Sequence, residues 1–147
     1  MRARVLLGGS LLAVAGAVAG TLLAASPASA GASQTVMVDC RGNGQVRPAG
    51  FVLACADGNA YLNHLHWANW GSEAFSSGVF VANTCKPSCV QGHFVSYPVL
   101  AVAWRPQAWP KHAGRTFFTQ LTLVFTGRRP GNTPVSPTYP LSALGGA

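Results

Sequence analysis

Residues 115–126, RTFFTQLTLVFT, constrain the fold more than any other stretch of the chain. A period of two puts Phe117, Thr119, Leu121, Leu123 and Phe125 on one face of a strand, and Phe118, Gln120, Thr122 and Val124 on the other. No segment beyond residue 30 shows the three-and-four apolar spacing of an amphipathic helix. Val36 and Val38 alternate with Thr35, Met37 and Asp39, which suggests a first short strand, and Phe51 to Ala56 is a short apolar run. Asp57-Gly58-Asn59 follows, where Asp-Gly favours positive φ and a hairpin. The returning strand is predicted over Tyr61 to Ala68, with Tyr61, Leu65 and Trp67 on one face and Leu62, His64 and His66 on the other. Residues 69–78 (NWGSEAFSSG) read as a loop, and Val79 to Ala82 as a short strand. Phe94 to Trp104 reads as a long strand with Leu100, Val102 and Trp104 on one face, and Pro98 marks an edge or bulge. Short strands punctuated by Gly, Pro and Asn predict an all-β fold, a small antiparallel sandwich or barrel.

The start of the chain has another purpose. Arg2 and Arg4 precede an apolar run from Val5 to Ala25, and Ala28-Ser29-Ala30 is a small-residue cleavage pattern. Residues 1–30 are therefore expected to be a removable signal peptide, with residues 31–127 as one secreted, extracellular β domain. A membrane span is not expected after cleavage. Residues 128–147 carry Pro130, Pro134, Pro137 and Pro140 and are expected to form a disordered, Pro-rich tail.

Four cysteines, Cys40, Cys55, Cys85 and Cys89, suit an oxidising compartment. Three pairings are possible; Cys40–Cys55 and Cys85–Cys89 are favoured because each closes a short local loop. The spacing of Cys85 and Cys89 has three intervening residues, where a redox motif has two.

Of 147 residues only 9% are charged, with ten Lys or Arg against three Asp or Glu. Asp39, Asp57 and Glu73 are the whole carboxylate supply, which leaves acid–base chemistry few candidates. Removing Arg2 and Arg4 lowers the net charge from +7 to +5, and residues 90–147 contain no acid at all. Arg105, Trp109, Lys111, His112 and Arg115 cluster around one expected loop between the two long strands. Such a tip offers stacking and positive charge to an anionic polymer or glycan of the cell envelope. The alternative is a solvated turn with Trp109 packed on the sheet. Nucleic acid is a less favoured partner, since no nucleic-acid motif occurs. Trp67, Trp70, Trp104 and Trp109 could build a sugar-stacking platform, although core packing explains Trp67 and Trp104 more simply.

His64 and His66 on one strand face are weak candidates for a metal, needing a third ligand. No metal, cofactor or catalytic residue is assigned. The G-x-S-x-G elbow, the H-E-x-x-H helix and the phosphate-binding loop are all missing. The rival to a binding domain is a small extracellular hydrolase pairing a His with Asp57 or Glu73. A further alternative is an inhibitor of a secreted enzyme presenting the Cys85–Cys89 loop.

The segments Phe51-Val-Leu-Ala-Cys-Ala-Asp-Gly-Asn59, Leu65-His-Trp-Ala-Asn-Trp-Gly71 and Phe117-Phe-Thr-Gln-Leu-Thr-Leu123 resemble uncharacterised small secreted proteins of high-GC Gram-positive (actinobacterial) bacteria. The resemblance spans roughly residues 36–127 and implies export and disulfides. It implies no known activity and carries over no functional residue.

Overall fold

The computed structural model describes residues 34–143, so the expected signal peptide lies outside the described residues. Eight strands make one sheet: β1 (Thr35–Val38), β2 (Gly44–Gln45), β3 (Phe51–Val52), β4 (Ala60–Trp67), β5 (Ala74–Asn83), β6 (Phe94–Ala108), β7 (Thr116–Phe125) and β8 (Thr138–Pro140). Their order is β2-β1-β7-β6-β5-β4-β3, with β8 added beside β7. Every pairing is antiparallel except β1 with β7, which is parallel. The sheet curls into a half-barrel.

The connectivity forces that curl. Strands β2 and β3 end the path on opposite edges, yet only residues 46–50 join them. Laid flat, seven strands would hold those edges about 29 Å apart. The chain from Gln45 to Phe51 reaches at most about 22 Å. The edges must therefore approach each other. Cys40–Cys55 bridges the same seam, joining the turn after β1 to the turn after β3 with Cα atoms 5.5 Å apart. Cys85–Cys89 clasps the β5–β6 connection, so both favoured disulfides are present.

The concave face holds the main core: Met37, Leu62, Leu65, Phe80, Val99, Phe118, Leu121, Leu123 and Phe125. On β6 the inward residues are the small Ala101 and Ala103 with Val99, so Leu100, Val102 and Trp104 form the outer face. Pro98 lies in an interior strand but at a place that tolerates it. Its carbonyl accepts from Thr126 N–H, so its missing donor faces β7 just where β7 ends.

Three expectations are corrected. Residues 69–78 are not all loop, because β5 begins at Ala74, with Ala74 and Ser76 turned inward. In β4 the expected alternation breaks: Leu62 and Leu65 both face the core, and His64 stands between them at φ 51°. His64 and Leu65 together oppose Gly78, a β-bulge that resets the strand by one residue. Glycine suits position 78, since a Cβ there would lie 2.9 Å from Leu65 Cδ2 and 3.0 Å from Asn63 O, so the side chain or the bulge would have to shift. The third correction concerns the tail. Strand β1 covers β7 only at Thr116 and Phe117, leaving the rest of that flank open. Residues 135–141 fill it, with Val135 O and Pro137 O accepting from Phe125 N–H and Leu123 N–H, and Leu141 buried. Prolines lack donors but keep their carbonyls, so a Pro-rich segment can still extend a sheet edge.

Candidate functional site

The β6–β7 hairpin expected from sequence forms, and its connection narrows to Trp109–Arg115. Trp109 N–H donates to Arg115 O across the loop, while His112 N–H donates to Trp109 O and Arg115 N–H to His112 O. The loop is thus two successive four-residue turns. Pro110 presets the second position of the first turn, and Lys111 occupies the third at φ 64°. Gly114 occupies the equivalent place in the second turn at φ 72°. Glycine suits that conformation; lysine does not, and is held there by the turn.

Trp109 is not presented to solvent. It is buried in a second, smaller core with Val36, Val38 and Phe117. Its Nε1–H donates to Ala143 O at 3.2 Å, and its ring edge abuts Gly44, where any Cβ would come within 2.8 Å. His112 stacks on the indole with ring centroids 3.6 Å apart, and the Arg115 guanidinium sits 4.9 Å from its centroid. Of the two readings of Trp109, packing down on the sheet holds and ligand stacking is corrected. The indole packs downward because β1 supplies an apolar floor, and its stacking capacity is taken by the loop's own His112 and Arg115.

The structure adds a residue that sequence reasoning missed. Arg41, in the β1–β2 turn, joins Lys111 and His112 in the wall of a pocket of about 480 Å³. Gly42, Trp109, Pro110 and Ala143 complete the wall. Among the described residues no Asp or Glu lines it. The nearest acid by chain, Asp39, is engaged in the turn itself. It accepts from the backbone N–H groups of Arg41 (2.9 Å) and Asn43 (2.8 Å) and from Gln45 Nε2 (2.8 Å). Partial burial raises its pKa, but these hydrogen bonds, Asn43 N–H foremost, outweigh that and hold the carboxyl below its ordinary value. Arg105 does not reach this wall. It lies in β6 at φ 58°, where its carbonyl accepts from Thr119 Oγ1. There the hairpin changes which residues it turns to the main core, from Leu121 to Phe118, three positions apart.

The remaining candidates are dispersed. His64 and His66 are both exposed, but the bulge between Asn63 and His66 breaks the simple alternation that aligned them. Among the described residues, no cluster of three His, Cys, Asp or Glu could hold a metal ion. Asp57 accepts from Asn59 N–H and Asn59 Nδ2, which lowers its pKa, the backbone bond contributing most. Glu73 is exposed in the β4–β5 connection, just before β5. The tryptophans share no platform. Trp67 and Trp70 meet edge to face over the main core, Trp104 donates to Thr122 Oγ1 on the outer face, and Trp109 lies in the second core. Among the described residues, no helix is long and apolar enough to cross a membrane. Compared with protein-family models, curated proteins and solved structures, the chain matches none.

Proposed function

We propose that the protein is an exported, non-enzymatic binding domain that holds an anionic polymer or glycan of the cell envelope at the end of its β6–β7 hairpin. Arg41 converges on Lys111 and His112 around a pocket that no Asp or Glu lines among the described residues, and this convergence carries the reading. Side chains 70 residues apart in sequence present positive charge to one cavity. Lys111 adds a second argument, since a left-handed lysine costs stability that a glycine would recover, and such costs gather at functional positions. Arg115 contributes charge while bracing the indole. The two disulfides fit an oxidising, extracellular compartment.

Retention of residues 31–147 on an immobilised anionic glycan, eluted with rising salt, tests this. Arg41→Ala/Lys111→Ala should elute at clearly lower salt, because two fewer charges are screened. Elution at the unchanged salt concentration refutes the assignment of this pocket.

A further inference from the structure

A second cavity, of about 530 Å³, opens at the mouth of the half-barrel, within the size range of small-ligand sites. We propose that it binds a sugar unit bearing a carboxylate, with Arg47 holding the acid and Trp70 the ring. The proposal stands apart from the hairpin-end site and does not require it.

Among the described residues Arg47 is the only charged side chain in the wall, and it is placed there by an anchored backbone. It sits in the five-residue link between β2 and β3, at φ 50°. Behind it, Val46 packs against the second core. Ahead of it, Pro48 is buried, its carbonyl accepting from Trp67 Nε1–H at 2.8 Å, and Ala49 O accepts from Leu65 N–H at 3.0 Å. Held from both sides in a conformation that glycine would adopt at lower cost, the link keeps an arginine at the cavity. Glu73, the acid nearest to this wall in sequence, does not line it. A guanidinium is a planar fork that matches a carboxylate with two parallel hydrogen bonds.

Trp70 is equally fixed. Its Nε1–H donates to Thr35 O at 2.7 Å, and its ring meets Trp67 and Phe118 edge to face with centroids 4.7 and 5.5 Å away. It remains half-buried in the cavity wall, a rigid apolar surface for the C–H face of a pyranose. Around it the wall supplies neutral polar groups: Gln34, Gln107 and Ser72. Thr35 and Thr116 join through their hydroxyls at 2.9 Å. One proton is used within that pair, so the accepting hydroxyl keeps its own for a ligand. One cation, two amides, several hydroxyls and an indole match a monoanionic, hydroxyl-rich ring. A phosphate dianion would call for more positive charge, and an apolar ligand would waste the amides.

Titrating ¹⁵N-labelled protein with D-glucuronate tests the site, with glucose, acetate and inorganic phosphate as parallel arms. Glucuronate should shift the Trp70 indole N–H and the amides of residues 34–35, 71–72 and 107–108 saturably. Arg47→Ala should weaken it about tenfold or more, the scale of a lost charge-assisted hydrogen bond. Arg47→Gly, which relieves the left-handed backbone and protects the fold, should weaken it equally. Arg41→Ala/Lys111→Ala should leave it unchanged, which separates this site from the hairpin end. Absence of a saturable glucuronate shift overturns the proposal. So does an equal response to phosphate or glucose, or binding that survives both Arg47 variants.

Discussion

Replacing Cys40 and Cys55 together by Ser tests whether the barrel seam is stapled as its connectivity implies. The disulfide closes a loop with a sequence separation of 15, worth about 3 kcal/mol by loop-closure entropy. Cys85–Cys89 closes a separation of only 4, worth about 2 kcal/mol by the same relation. For a domain near 100 residues, 3 kcal/mol is about 12–24 °C of Tm. The two bridges also differ in position: Cys40–Cys55 joins opposite sheet edges, whereas Cys85–Cys89 stays within one connection. Losing the first should therefore open the seam locally. Thermal unfolding of Cys40→Ser/Cys55→Ser and Cys85→Ser/Cys89→Ser, combined with hydrogen exchange, reads both effects. The Leu65 amide, bonded to Ala49 O, and the Trp67 indole, bonded to Pro48 O, report on the link between the edges. They should lose protection selectively in the first variant. If the second variant loses as much Tm, or if those two protons stay protected beyond the global opening rate, the seam argument is wrong.

Three further outcomes follow from the site. Trp109→Ala empties the second core and should cost roughly 3–5 kcal/mol in urea unfolding, with faster exchange at the His112 and Arg115 amides. Lys111→Gly should stabilise the fold by roughly 0.5–1 kcal/mol in the same assay while lowering the salt needed for elution from anionic glycan. The pH dependence follows from Asp39 and Asp57, whose pKa values are lowered in the folded state. The stability they contribute is complete above the unfolded-state value near 3.8 and is lost as pH falls through the lower folded values. The unfolding midpoint should thus hold steady from neutral pH and decline below about pH 4, and Asp39→Asn should flatten part of that decline.

Much of the fold was legible because its signals are local. Alternation over 115–126 depends on neighbouring residues only, and that strand forms. Gly58 adopts the expected positive φ of 68°, and β3 and β4 pair, but β3 stops at Val52, so the connection is longer than the tight Asp-Gly hairpin the sequence suggests. The short spacings of the cysteines likewise pointed to both bridges. What the sequence hid depends on long-range placement. His64 reads as an ordinary strand residue until Gly78, fourteen positions on, makes room for a bulge. Residues 135–141 read as disorder because prolines erase the strand signal, yet β7 leaves a flank that needs covering. Arg41 enters the site only through the parallel pairing of Thr35 with Thr116 and Val36 with Phe117, about eighty positions apart, which no periodicity announces. Arg47 was equally invisible, because its position depends on how the two sheet edges meet.

In the proposed function the anion is received by the pocket between the β1–β2 turn and the β6–β7 hairpin, which no Asp or Glu lines among the described residues. An NMR titration of residues 31–147 with a soluble anionic oligosaccharide tests it most directly. Saturable shifts should centre on Arg41, Gly42 and residues 109–112, weaken as salt is raised and vanish in Arg41→Ala/Lys111→Ala. Absence of a saturable, salt-sensitive shift at Arg41, Gly42 and residues 109–112 at low salt, whatever happens at the separate Arg47 cavity, would contradict it.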